Sequence, residues 1–234
     1  MRALVNRATR AVAVPAPSTG AAAFHASLPG YRPTPVRELA GLADDLRVRA
    51  MAVKDESDRL GLPSFKVLGA SWAVEVALCE QPETDTLVAA SAGNHGRAVA
   101  HVAALHGLRC RVFVPARSLA ARREAIAAEG AEVVLVSGDY EDAVGQAAAA
   151  GARRGALEIA DVGDSGPAHS VIDGYATLFD EAAAQGTHDV IVVPVGVGSF
   201  AAAAVRFAAH HSVTVIGVEP VSYTHLTLPT KRIV

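Results

Sequence analysis

From residue 86 onward, short apolar runs of β type alternate with alanine-rich helical runs, and this alternation restricts the fold more than any other feature. "TLVAAS" leads into "GNHGRAVAHVAALHG", "CRVFVP" into "ARSLAARREAIAAEG", and "AEVVLVSG" into "DYEDAVGQAAAAGARRG". "HDVIVVPV", "GSFAAAAVRFAAHH" and "VTVIGVEP" continue the series. Strand–helix–strand units at this spacing build a parallel sheet. Near-continuous apolar strands suit a sheet covered by helices on both faces. Gly107, Gly130 and Gly155 stand where helices should close. The expected class is α/β.

Composition removes several function classes. The 234 residues are 51% hydrophobic and 19% charged, which fits a globular chain. A net charge of -3 gives no electrostatic basis for a nucleic-acid or acidic-membrane partner. The two cysteines, Cys79 and Cys110, have no metal-ligand spacing around them, so no metal is expected and a reducing cytoplasm is. No apolar run approaches the length of a membrane span. The opening stretch "MRALVNRATRAVAVPAPSTGAAAF" has the arginines of a transit peptide but reads better as an arm on the domain surface.

Ligands of open parallel sheets bind at the carboxyl ends of the strands. The loops there are Ser91 to His95, Pro115 to Ser118, and Gly196 to Ser199. In "VGVGSFA" a strand runs through Gly196, Val197 and Gly198 into a helix beginning near Ser199. Glycines allow close backbone approach to an anion, and the helix N-terminus offers free N–H groups and a positive dipole end. The loop reads as a phosphate cradle or as a tight βα turn. It also fits G-x-G-x-x-A, with Glu219 placed for a ribose hydroxyl, which is the nicotinamide-dinucleotide alternative. In "SAGNHG", Asn94 can reach a phenolate-type oxygen or cap the following helix.

Lys66, in "GLPSFKVLGASWAV", sits behind a turn and at the head of an apolar helix. A buried amine is expected to have a lowered pKa, to be nucleophilic near neutrality and to form a Schiff base with an aldehyde. Snorkelling to solvent is the alternative. Lysine, phosphate cradle and amide-bearing loop together match the aldehyde, phosphate and ring hydroxyl of pyridoxal phosphate.

The stretches "KDESDRLGLPSFKVLGA", "SAGNHGRAVA" and "GVGSFAAA" resemble the tryptophan-synthase-β-like, or fold type II, pyridoxal phosphate enzymes. With "FHASLPGYRPTPVREL", "GYATLFDE" and "VIGVEP", the chain is similar to the diaminopropionate ammonia-lyase branch over most of residues 24 to 220. The resemblance implies that Lys66 binds the cofactor covalently and takes the substrate α-proton. It further implies that Asn94 touches the ring hydroxyl and that Gly196, Val197, Gly198 and Ser199 hold the phosphate. Ser91, Ala92, Gly93 and His95 are then the substrate-facing residues, and Asp161, with Asp164 behind it, is the second catalytic group. The implied reaction releases pyruvate and ammonia from 2,3-diaminopropionate. Ala92 replaces an aspartate of that branch, and Ser-Ala-Gly-Asn-His is closer to threonine and serine dehydratases, the alternative within the family.

The same resemblance implies a cytoplasmic homodimer with residues 1–69 and 166–220 in a larger cofactor-binding domain and 70–165 in a smaller inserted one. The string "VSYTHLTLPTKRIV" resembles a translated sequencing-library adaptor, so residues from about Val221 are expected to be non-native and the family fold truncated there. The partner of the pyridine nitrogen would then be missing, and apolar sheet surface left uncovered.

Overall fold

A computed structural model describes residues 20–219; the expectations for residues 1–19 and for the segment from Val221 fall outside the described residues. The chain opens with α1 (Gly20–Ser27), β1 (Val36–Glu38), α2 (Ala40–Leu46), β2 (Ala52–Lys54) and α3 (Lys66–Glu80). A βα series follows: β3 (Thr86–Ala90), α4 (Asn94–Leu105), β4 (Arg109–Pro115), α5 (Ala120–Ala127), β5 (Glu132–Val136), α6 (Tyr140–Gly151) and β6 (Ala156–Glu158). The last described elements are α7 (Gly166–Gly174), α8 (Ala176–Gln185), β7 (Val190–Pro194), α9 (Ser199–His210) and β8 (Thr214–Val218).

The principal sheet is parallel with strand order β5-β4-β3-β6. Its register pairs Thr86 with Arg109 and Ala90 with Phe113. Every residue of β3 is buried, as a central strand with helices on both faces requires. On one face α4 contributes Ala98, Val99 and Val102 to a core that continues through α3 into α7 and α9. On the other, Ala143, Ala147 and Ala150 of α6 pack on Val88, Ala90 and Phe113. Gly107, Gly130 and Gly155 all take positive φ, the left-handed conformation expected of helix-closing glycines.

Three features depart from the sequence expectation. β1 and β2 form an antiparallel hairpin, and β6 extends the main sheet by only three residues. Three-residue strands are too short for a period to be read. The β7–β8 pair, expected to be covered on both faces, leaves Val190, Val192, Ile216 and Val218 about half exposed. α9 covers the alternate residues only, Val193 above all.

Helices α3 and α7 cross at unusually close range because Gly69 and Gly174 face each other there. A Cβ on Gly69 would lie 2.5 Å from Tyr175 Cε1, and one on Gly174 would lie 2.5 Å from the Leu68 carbonyl oxygen. This crossing brings the residues after α7 against the first turn of α3.

The "KDESDR" cluster folds into a buried network rather than a solvated face. Arg59 is 1% exposed and donates to Glu181, Glu56 and Thr34 Oγ1. Glu181 also accepts from Lys54 Nζ at 2.7 Å and from the Tyr31 hydroxyl at 2.7 Å. Segments far apart in sequence are thereby fixed around α8.

Candidate active site

Arg59 begins the turn that aims Lys66. Arg59 N–H donates to the Leu62 carbonyl at 2.8 Å, and Leu62 N–H returns the bond at 3.0 Å. Between them Leu60 (φ 51°) and Gly61 (φ 78°) are both left-handed, as a two-residue primed turn needs. A leucine there is strained, and the buried anchor at Arg59 holds it in place. Pro63, Ser64 and Phe65 then lead directly into α3, whose first residue is Lys66.

That position is a poor one for a structural lysine. A cation at a helix N-terminus faces the positive end of the dipole. The charge is accommodated because Nζ donates to Asp161 Oδ2 at 2.9 Å, on the loop after β6. Lys66 and Asp161 side chains are 18% and 8% exposed. Burial alone would lower the lysine pKa; the oxygens of Tyr175, which acts in this direction only as a phenolate, and of Asp161 outweigh it and hold the amine above the usual lysine value. Burial pushes the Tyr175 phenol up to about 12, so at neutral pH Tyr175 is uncharged and Asp161 is the standing counter-charge. The expectation of a lowered Lys66 pKa is therefore corrected: desolvation is present, but an ion pair overrides it.

Asp161 is the reciprocal case. Burial disfavours its charge, while His95 and Lys66 beside it hold the carboxyl below the ordinary range. His95 is fully enclosed, with Nε2 donating to the Ile159 carbonyl at 2.7 Å. Burial lowers its pKa, so it is uncharged at neutral pH and takes a proton only in acid, where its charge bears on Asp161. Its Nδ1 therefore presents a lone pair, without a hydrogen-bond partner, 3.8 Å from Asp161 Oδ2.

The Gly196–Ser199 loop meets this cluster from the other side of the fold. Gly198 (φ 101°) caps α9, and Ser199 begins it. Ser199 is 4% exposed and its Oγ makes no hydrogen bond. A Cβ on Gly196 would meet nothing within 4 Å, so the backbone there is open to approach. Tyr175, at the α7–α8 junction, is fully buried, and its hydroxyl is likewise unbonded. Lys66 and Ser199 both lie close enough to affect the phenol's proton affinity. Lys66 Nζ sits 5.4 Å from the Tyr175 ring centre, and Phe65 and Phe200 pack edge-on against that ring.

The structure therefore brings together Lys66, Asp161, His95, Tyr175 and Ser199. Asp164 is not part of the group: it is at the surface, 2.9 Å from His169. Asn94 is exposed at the first turn of α4 and does not cap it; Gly93 is the N-cap residue. Ser91 Oγ accepts from Gly93 N–H at 3.2 Å, and Ala92 is half-buried. Ala92, Gly93 and Asn94 line a recess of about 330 Å³ with Arg97 and Arg122. Gly96 proves to be a close-approach glycine: a Cβ would lie 2.5 Å from the Ser91 carbonyl oxygen. Val197 is 48% exposed at the crest of its loop. A larger recess, about 380 Å³ with Arg109 and Arg111, lies at the amino ends of the strands, away from these residues. Sequence reasoning missed Tyr175, whose only local signal is a lone aromatic between Gly174 and Ala176.

Comparison with known proteins accords with this geometry. The family described as "Pyridoxal-phosphate dependent enzyme" matches residues 27–232. Diaminopropionate ammonia-lyase of Escherichia coli K12 is 33% identical over 205 residues, covering 76% of this chain and 51% of the relative. A biosynthetic L-threonine dehydratase of the same strain is 31% identical over 170 residues, covering 72% of this chain and 32% of that protein. The crystal structure of the E. coli ammonia-lyase in apo form superposes with a TM-score of 0.80 at 32% identity, over 86% of this chain and 63% of that one. The chain thus spans about half the length of its ammonia-lyase relative. By sequence, and by the fold that carries the lysine and glycine loops, this chain belongs to the pyridoxal-phosphate dependent enzyme family.

Proposed function

We propose that the chain forms the lysine-bearing part of the active site of a pyridoxal phosphate-dependent carbon–nitrogen lyase. The carrying observation is the buried Lys66–Asp161 pair, closed on another side by the unbonded Ser199 Oγ at the start of α9. These residues fit the cofactor: an amine suits its aldehyde, while an orphan hydroxyl, an open Gly196 backbone and a helix N-terminus suit its phosphate. When bound, the cofactor supplies the carbonyl that amines condense with and the ring that delocalises charge from the substrate α-carbon.

Lys66 Nζ attaches the cofactor and then takes the α-proton. Asp161 holds that amine in place and stores its positive charge. Gly196, Val197, Gly198 and Ser199 hold the phosphate, and Asn94 reaches the ring hydroxyl. Ser91, Ala92 and Gly93 hold the substrate carboxylate, and His95 acts behind Asp161 rather than on substrate. The substrate best supported is 2,3-diaminopropionate, yielding pyruvate and ammonia, because the matching stretches run from the first helix through "VIGVEP".

A second reading, a threonine or serine dehydratase, is favoured by Ala92, which stands where the ammonia-lyase pattern carries an aspartate. The β7–α9–β8 unit with Glu219 also fits a nicotinamide reading, but that leaves the Lys66–Asp161 pair without a task. The complete enzyme is read as a cytoplasmic homodimer, with 1–69 and 166–220 in the larger domain and 70–165 in the smaller.

The test is to add pyridoxal phosphate to the chain, record the visible band of bound cofactor, and repeat with Lys66→Ala. An equal band without Lys66 refutes the assignment. Pyruvate release from L- and D-diaminopropionate against L-threonine, with Ala92→Asp alongside, separates the two substrate readings.

A further inference from the structure

Lys66 meets opposite requirements in its two protonation states. As an ammonium it donates to Asp161 Oδ2. As a neutral amine, the form that attacks an aldehyde, it carries a lone pair that needs a donor in a site largely closed to water. The titratable groups facing it are Asp161 from the loop after β6, His95 from α4, Tyr140 from the start of α6 and Tyr175 from the α7–α8 junction. Asp161 is ionised and can only accept. His95 has spent its one N–H on the Ile159 carbonyl. Tyr140 is partly exposed and can donate to solvent. Tyr175 alone among these four is a fully buried O–H donor with no hydrogen bond of its own.

Resting on the reading of Lys66 as the attachment point, we propose that Tyr175 is a positioning residue for it: the Tyr175 hydroxyl donates to the neutral Nζ and so sets the fraction of Lys66 able to attack an aldehyde. The phenol cannot turn away, because Phe65 and Phe200 pack edge-on to its ring and Gly69 leaves it only the space of a missing Cβ. Burial keeps it protonated across the neutral range, with a pKa near 12. While Nζ is charged and paired with Asp161 it needs no donor, which accounts for an orphan hydroxyl in a well-packed core. In the exchange one N–H bond breaks and its proton leaves to water past the 18% exposed lysine side chain; Tyr175 keeps its own proton.

The experiment titrates attachment without reference to turnover. Pyridoxal phosphate is added to the full chain from neutral to alkaline pH, the adduct is fixed with borohydride, and Lys66 occupancy is read by peptide mass. Loss of the donor destabilises the neutral amine, so Tyr175→Phe should move the midpoint up by about half to one pH unit. Asp161→Asn, which removes the counter-charge, should move it down. A fluorinated tyrosine at position 175, a stronger donor, should also move it down and serves if the phenylalanine variant fails to fold. An unchanged or lowered midpoint in Tyr175→Phe overturns the proposal while leaving Lys66 as the attachment point. Absence of any adduct on wild-type Lys66 refutes the functional reading, and this proposal with it.

Discussion

Glu181→Gln should remove about 3 kcal/mol of stability at neutral pH, although the residue is far in sequence from the lysine whose turn it anchors. The carboxylate accepts from Arg59 Nη1 and Nη2, Lys54 Nζ, the Tyr31 hydroxyl and Thr34 N–H at 2.6 to 3.2 Å. Burial alone would raise its pKa, but hydrogen bonds from Arg59, Lys54 and Tyr31 prevail and hold it at about 2, against an ordinary 4.5. A difference of about 2.5 units at about 1.36 kcal/mol each is about 3 kcal/mol of preference for the folded state. The folded value lies below the unfolded one, so this stability is fully present above about pH 4.5 and is lost as pH falls to about 2.

Glutamine keeps the volume but cannot titrate, so the variant should lose both the increment and that part of the acid limb. Urea unfolding of both proteins across this range measures the two together. The loss should reach the site: freeing Arg59 relaxes the Leu60–Gly61 turn and should reduce cofactor fixation on Lys66. A neutral-pH difference under about 1 kcal/mol, or parallel acid limbs, would refute the claim that this network is a net stabiliser; replaceable buried ion pairs of that kind are known.

Gly69→Ala should cost about 1–3 kcal/mol in the same unfolding assay, since its methyl enters the Tyr175 ring and the Val171 carbonyl at the α3–α7 crossing. His25 is buried, and that burial lowers its pKa to about 4, with Nε2 donating to the Leu68 carbonyl and Nδ1 accepting from Thr177 Oγ1. Because the unfolded imidazole binds a proton near pH 6.5 and the folded one does not, stability should fall as pH drops from about 6.5 to about 4, and the slope should flatten in His25→Gln. A thiol reagent should label exposed Cys79 in the native chain and reach Cys110 only on unfolding, since burial raises the latter to about 12; equal labelling rates would contradict the packing of β4.

What the sequence disclosed follows the range of the interactions involved. Strands β3, β4, β5, β7 and β8 were legible because each is five or more residues long and largely apolar, between turn signals. The left-handed glycines were legible because φ above zero selects glycine locally. The Arg59–Glu181 network was not, because "KDESDR" carries the charges of a solvated loop and its partner lies 122 residues on. Nor was Tyr175, whose role depends on α7 crossing α3 at two glycines. The capping alternative for Asn94 rested on its residue type alone; the loop gives the cap position to Gly93 and turns Asn94 outward.

The proton state of Lys66 shows best why a motif alone underdetermines chemistry. Sequence places the lysine beside Phe65, Val67 and Leu68, and desolvation by such neighbours argues for a neutral amine. The fold adds Asp161 at 2.9 Å across 95 residues, and a charge that close reverses the direction. The reversed direction has a chemical consequence. An amine held as its ammonium is an acid ready to return a proton, and it becomes a base only after that proton has gone. Asp161 stabilises the first condition and Tyr175 the second, so the two residues should oppose each other when removed. A lysine merely snorkelling from a core would show neither shift, and one activated by burial alone would respond to neither variant.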